Sequence, residues 1–270
     1  ELSLNARKKI EDYTVMLAKS LNTIGLINIQ FAIKNEIVFV IEVNPRASRT
    51  VPFVSKVIDI PLAKIAAKIT IGNKIRDMNL VNNKQKGLIA VKKPVFPFDK
   101  FPKQNVFLSP EMKSTGEVIG FDSHLGSAYA KSESGAGKSL PISGNVFISV
   151  NDIDKIKIIT LARDFIELGF NIIATKGTAS LLNKNGINAE SIFKVGEGRP
   201  NVVDGIKNGK IQLVINTPLG AQSRYDEYKI GWASIRYKIT VITTISGAQA
   251  AVRGIRNIKS GSIEYRSLQE

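Results

Sequence analysis

Apolar residues recur at helical spacing from the start of the chain. Ile10, Tyr13, Leu17, Leu21 and Ile24 predict an amphipathic helix that ends near Asn22, ahead of Gly25. Two short runs follow, Asn28 to Ile33 and Ile37 to Val43, parted by the polar Lys34-Asn35-Glu36, and they read as a hairpin. After a loop, Pro61 opens a helix that Gly72 closes. Residues 73–110 are expected to be irregular, because Pro94, Pro97, Pro102 and Pro110 interrupt any long element. The stretch 131–145 holds Lys, Ser, Gly, Glu, Asn and Pro with few large apolar residues, and it is the expected domain boundary. Beyond it the pattern changes. Strands are predicted at 145–150, 170–175, 191–195, 211–217 and 240–244, and helices at 155–168, 178–184, 200–208, 226–237 and 247–257. That alternation predicts a mostly parallel sheet covered by helices on both faces.

Composition narrows the picture. A length of 270 residues fits about two domains. The chain opens on Glu1, already inside a helical pattern, which predicts a fragment with an upstream part. No apolar run is long enough to span a bilayer, and no basic-then-apolar leader is present, so no membrane partner is expected. The cytoplasm is the default location, or an organelle if a transit peptide has been lost. There is no cysteine and one histidine, His124, which excludes disulfides, thiolate metal sites and His-rich zinc sites. The net charge of +15 raises a nucleic-acid partner. Lysines are scattered, however, and aromatic residues do not interleave with them, so a solvated basic surface is the preferred reading and no nucleic acid is expected.

The hairpin carries candidate metal chemistry. Glu42 and Asn44 are two apart on one strand and share a face. A turn centred on Glu36 places Gln30 opposite Glu42, at a Cβ separation of ~5 Å. One carboxylate and two amide oxygens converging there suit Mg²⁺ or Mn²⁺. Arg46 and Arg49 follow Pro45, and their guanidinium groups have the geometry to clamp phosphate or carbamate oxygens. Metal and arginines together are the working set of phosphoryl transfer. The plainer alternative is a polar face of an exposed hairpin with surface arginines, and spacing alone favours it.

The surrounding residues shift that balance. The run Ile41-Glu42-Val43-Asn44-Pro45-Arg46-Ala47-Ser48-Arg49-Thr50-Val51-Pro52-Phe53 resembles the metal-binding segment of the ATP-grasp halves of carbamoyl phosphate synthetase large subunits. The resemblance extends through Val54-Ser55-Lys56, Pro61 to Ala66, Val91 to Phe98 and Ser109 to Val118, the last matching the second half of that subunit. It implies an α/β chain: the C-terminal end of an ATP-grasp domain (1–71), the tail of the carbamoyl phosphate synthetic half with a linker (72–136), and a doubly wound parallel-sheet methylglyoxal-synthase-like allosteric domain (137–270). It implies that Gln30, Glu42 and Asn44 hold the metal, that Gln30 and Glu42 meet ATP through it, and that Arg46 and Arg49 are catalytic. ATP, Mg²⁺ or Mn²⁺, K⁺, a glutaminase small subunit and an oligomeric complete enzyme come with the family. Because the family's adenine-gripping residues lie upstream of Glu1, the isolated chain is expected to lack turnover.

The later strands end in polar residues: Ser149, Thr175, Asn216 and Thr243. Ligands of open α/β sheets sit outside the carboxyl ends of strands. Thr175-Lys176-Gly177-Thr178 joins a strand to a helix, and its hydroxyls and helix-start amides make an anion site that Lys155 and Lys194 would complete. The alternative is plain capping by Thr178 with solvated lysines. Lys194-Val195-Gly196-Glu197-Gly198-Arg199-Pro200-Asn201 and Leu213 to Pro218 resemble the methylglyoxal-synthase-like domain ending this family. By that resemblance UMP or an IMP-type effector binds here, with Lys155, Thr175, Thr178 and Lys194 on its phosphate and Asn216 and Thr217 beside the nucleotide. Two departures stand out. Lys93 replaces a glutamate that helps bind ornithine in some members, so an ornithine response is not expected even though Thr243 matches a second contact position. Gly231-Trp232 also stands where paired arginines are common.

Other features are weighed and set aside. Gly135-Ala136-Gly137-Lys138-Ser139 resembles a P-loop, but Ser132 stands where the motif needs its first Gly, and Pro141 and Gly144 argue against the following helix. His124 has no nearby Cys or His partner in sequence and reads as a surface or packed residue. Methylglyoxal synthase itself needs a carboxylate base, and Gly196 to Pro200 and Asn216 to Pro218 carry no Asp. A regulatory nucleotide-binding module without catalysis remains the second reading.

Overall fold

The computed structural model describes residues 2–80, 87–98, 100, 113–218, 224–261 and 263–265. Pro102, Pro110 and the Ser109-to-Met112 part of the quoted segment lie outside them. The chain divides into two compact units between Lys86 and Gly87, within the predicted middle segment.

The first unit runs α1 (Leu4–Ser20), β1 (Asn28–Lys34), β2 (Ile37–Asn44), α2 (Thr50–Ile58) and α3 (Leu62–Thr70). Ser3 caps α1 by accepting the Ala6 N–H at 3.1 Å. Strands β1 and β2 pair antiparallel across a two-residue turn whose Asn35 and Glu36 both have positive φ, 50° and 63°. That geometry matches the right-handed twist of a hairpin, and Asn tolerates it well. Helix α2 lies where only a loop was expected between hairpin and Pro61. Its Pro52 falls in the first turn, where no N–H partner is needed, so proline does not oppose the helix there.

The second unit opens with β3 (Ile89–Val95) and β4 (Gly116–Asp122), an antiparallel pair, followed by α4 (Leu125–Gly135). The expectation of an irregular 73–110 is thus corrected over 89–95. Pro94 sits inside β3, which has one strand neighbour only, so its missing N–H falls where a two-stranded ribbon can spare it. The boundary stretch starting at 131 is helical as far as Gly135. Helix α4 is poor in large residues because it packs by close approach. A Cβ on Gly126 would lie 2.6 Å from the Arg253 carbonyl carbon, and one on Gly120 would lie 1.8 Å from the Ala128 oxygen. Lys131 of α4 pairs with Asp122 at 2.8 Å and donates to the Phe121 carbonyl at 3.1 Å. Burial pushes the Asp122 carboxyl up, but the Lys131 hydrogen bond, the His124 amide and the lysine charge outweigh it and hold it below its ordinary range.

The rest alternates as predicted: β5 (Gly144–Val150), α5 (Lys155–Glu167), β6 (Phe170–Thr175), α6 (Lys176–Lys184), β7 (Ala189–Ile192), α7 (Val202–Lys207), β8 (Leu213–Thr217), α8 (Arg224–Arg236), β9 (Thr240–Ile242) and α9 (Ile245–Lys259). The five strands form one parallel sheet in the order β7-β6-β5-β8-β9. Successive side chains face opposite ways, so each strand feeds two cores. Val146, Ile148, Ile172, Leu213 and Ile215 pack with α4, α5, α6 and α9. Phe147, Ile173 and Val214 pack with α7 and α8 on the other face. Each large side chain buried this way contributes ~1.5–3 kcal/mol. Among the described residues no helix is long and apolar enough to cross a membrane.

The contact at Gly120 is open to test. Gly120→Ala forces α4 off β4 and is expected to cost about 3 kcal/mol in urea denaturation. Gly116→Ala on the same strand, where a Cβ meets nothing within 4 Å, should change stability by less than about 0.5 kcal/mol.

Candidate functional site

Hairpin β1–β2 positions the first cluster. Gln30 pairs with Glu42 in the register, and Asn28 pairs with Asn44. A bulge then intervenes. Phe31 pairs with Val40, which leaves Ile41 as the extra residue and bends the strand just before Glu42. Asn44 donates from Nδ2 to Glu42 Oε1 at 3.0 Å, so these two side chains do share a face. Gln30 and Glu42 are exposed. The donor set is all oxygen with one carboxylate, which fits a hard divalent ion that keeps water and phosphate ligands. Among the described residues there is no group of three or more His, Cys, Asp or Glu side chains placed to hold an ion. Arg46 is exposed and donates to the Ala47 carbonyl at 3.0 Å, so its guanidinium lies folded along the turn. Arg49 is the N-cap residue of α2, also at the surface. Ser48 steadies the turn between them, accepting from Asn28 Nδ2 at 3.4 Å and from the Thr50 N–H at 3.3 Å.

The second cluster lies along the carboxyl edge of the parallel sheet. Lys155 opens the helix after β5, Thr175 ends β6, Lys194 follows β7, and Asn216 and Thr217 end β8. The strand order reverses direction between β5 and β8, and a crevice opens at such a point. Thr175 is the N-cap residue of α6, yet its side chain caps nothing. Its hydroxyl donates instead to Thr178 Oγ1 at 3.4 Å, and both threonines are buried. Thr178 is therefore the third residue of the helix rather than its cap. The first-turn amides of α6 retain their capacity for an anion. Lys155 pairs with Asp152 at 2.5 Å, and this hydrogen bond holds the Asp152 carboxyl below its ordinary range. Lys194 lies exposed in the loop two residues beyond the end of β7, where the strand was predicted to continue to 195. There its backbone N–H meets Glu197 Oε2 at 3.3 Å. Asp226 of α8 is close enough to feel this loop: burial pushes its carboxyl up, Lys194 pulls it down, and Glu197 pushes it up again.

One residue at this edge escaped the sequence reading. Asn151, directly after β5, ties the switch point together. Its backbone N–H and Nδ2 donate to Thr217 Oγ1 at 3.3 and 3.2 Å, and Nδ2 also meets the Thr217 carbonyl at 3.1 Å. Its Oδ1 accepts the Ile153 and Asp154 amides at 2.9 and 3.1 Å. The Thr217 hydroxyl, which already accepts twice, has only its own proton left to offer a ligand. The available signal was Asn-Asp immediately after an apolar run, the pattern of a side chain capping its own turn.

The set-aside features resolve physically. Gly135 to Ser139 forms the carboxyl end of α4, with Ala136 as C-cap and Gly137 at φ 77°. A phosphate loop needs a helix start, so this is the wrong end. His124 is the N-cap residue of α4, exposed, with its amide on Asp122 at 3.0 Å. Thr243 is exposed just beyond β9, and Trp232 packs edge-on against Tyr228 at 6.3 Å.

Residues 1–78 match the family model described as carbamoyl-phosphate synthase L chain, ATP binding domain, and residues 157–243 match the MGS-like domain. The class of the chain is thus an ATP-binding segment joined to an MGS-like domain. The large chain of carbamoyl phosphate synthase from Archaeoglobus fulgidus is 51% identical over 271 residues, covering all of this chain and 25% of that protein. Its counterpart from Acidobacterium capsulatum is 52% identical over 266 residues, covering 96% of this chain and 24% of that protein. A carbamoyl phosphate synthase large chain, C-terminal section, from Methanocaldococcus jannaschii is 47% identical over 270 residues, covering 96% of this chain and 44% of that protein. The chain belongs to the carbamoyl phosphate synthase large chain family, and it spans about a quarter of the length of the large chains it matches.

Asn151→Ala removes both halves of the clasp at the switch point. It is expected to cost about 2 kcal/mol by chemical denaturation, since one side chain serves as cap and as cross-strand tie.

Proposed function

We propose that the chain works as part of a glutamine-dependent carbamoyl phosphate synthase large subunit, an ATP-dependent ligase. The complete enzyme would make carbamoyl phosphate from bicarbonate, glutamine-derived ammonia and two ATP, for pyrimidine and arginine biosynthesis. In this reading 1–71 ends an ATP-grasp domain, 72–136 continues the synthetic half, and 137–270 is the allosteric domain. The observation that supports it best is the pairing of Gln30 with Glu42, with Asn44 bonded to that same carboxylate.

Gln30, Glu42 and Asn44 would hold Mg²⁺ or Mn²⁺, and the ion would supply charge neutralisation for the phosphate being transferred. K⁺ is a further candidate ion. The Asn44 amide, now donating to Glu42, would turn its Oδ1 inward for that task. Glu42 contributes the one negative charge, and Arg46 and Arg49 would unfold from the turn to orient phosphate and carbamate oxygens. At the other cluster, Lys155, Thr175, Thr178 and Lys194 would receive the phosphate of a UMP- or IMP-type effector. Lys155 would exchange Asp152 for it. Asn216 and the donor proton of Thr217 would face the nucleotide. A glutaminase small subunit, an oligomeric assembly and a cytoplasmic setting complete the proposal. Methylglyoxal synthase activity is not part of it: the loop at 196–200 offers only Glu197, which is bound to the Lys194 amide.

Two measurements test the reading. Titration of the 270-residue chain with UMP should give saturable binding, weakened at least ~10-fold by Lys155→Ala and by Thr178→Ala, as loss of charge-assisted phosphate contacts requires. Unchanged affinity in both would remove the effector site. In the assembled synthase, Glu42→Gln should abolish carbamoyl phosphate formation, and a near-normal rate would contradict the metal role.

A further inference from the structure

A buried charge with a spare oxygen lies between α4 and β3, away from both clusters. The Glu133 side chain is 1% exposed. Its Oε1 contacts Lys93 Nζ, while its Oε2 is buried with no hydrogen-bond partner. Lys93 reaches in from β3 with its side chain 25% exposed and its ammonium on the buried acid. Tyr129, one turn earlier on α4, lies against the same carboxylate. Burial above all, then the charge of Glu133, push its phenol far above the ordinary range, so it keeps its proton. A Cβ on Gly247, in the first turn of α9, would come 3.8 Å from that hydroxyl, which places the cluster where α4, β3 and α9 meet.

An ionised carboxylate this deep is costly unless a cation is held against it. The contact is through one oxygen, as a compact ammonium makes it, rather than the two-pronged grip of a guanidinium. We propose that Glu133, with Tyr129 beside it, forms a buried receptor for a primary ammonium group, and that this chain fills the receptor with its own Lys93. The hairpin β3–β4 is thereby pinned to α4 by a tethered cation and needs no external ligand to close. Nothing in this depends on the nucleotide or metal sites.

Removal of the tether tests it. Lys93→Ala deletes the equivalent of n-propylammonium, and the thermal midpoint of the 270-residue chain should fall by on the order of 10 °C. Added n-propylammonium chloride should restore part of the loss in a saturable way. Tetramethylammonium chloride and sodium chloride at equal ionic strength should not, and the unsubstituted chain should respond to none of them. If Lys93→Ala does not fold, Lys93→Met keeps the stem and removes the charge. Adding Glu133→Gln to Lys93→Met should then recover most of the lost stability, because no charge is left buried. The proposal is overturned if n-propylammonium does no better than tetramethylammonium on folded Lys93→Ala, or if the double variant is no more stable than Lys93→Met.

Discussion

The second unit depends on a parallel sheet that must be hidden from water on both faces. Strands β5, β6 and β8 alternate large apolar residues to either side, and neither face can be left bare. Helices are therefore required above and below. The chain reverses its winding between β5 and β8 to supply them, and the reversal opens a crevice at the carboxyl edge. Every polar residue of the effector cluster hangs on that edge. The crevice is thus a product of covering the sheet, and Asn151 ties together the two strands that part there.

The alternation from residue 145 onward was legible because each strand is a short apolar run and each helix has a clear face. Strand ends erred by a few residues: β7 stops at Ile192, not 195, since Phe193 leaves the ladder to bridge Asn201. The segment before 145 was harder for a physical reason. Helix α4 hides its contacts in glycine, alanine and serine, residues that look like linker when read one by one. Strand β3 tolerates Pro94 because a ribbon has a free edge. Helix α2 begins with a proline-containing turn. In each case tertiary context overrode a local rule that is sound elsewhere.

At the candidate sites, residue types and spacing carried far. The turn is the two-residue Asn35-Glu36 rather than one centred on Glu36, and its register alone would set Gln30 against Ile41; the extra residue Ile41 is what brings Glu42 opposite Gln30. The bulge at Ile41 was invisible, since an extra apolar residue in an apolar strand has no signature of its own. The idle Thr175 side chain was likewise beyond reach: a threonine before a helix normally caps it, and here the hydroxyl turns to Thr178 instead.

The glycine contact between α4 and α9 has a mechanical consequence. Gly126 and Gly254 let two backbones touch, with the would-be Cβ of Gly254 2.9 Å from the Gly126 oxygen. Main chain against main chain offers no rotamer to flex and no gap to take up slack. The two helices consequently behave as a rigid strut: a displacement of α9 at the β9 end of the sheet is delivered whole to the β3–β4 ribbon rather than spent in side-chain rearrangement along the way.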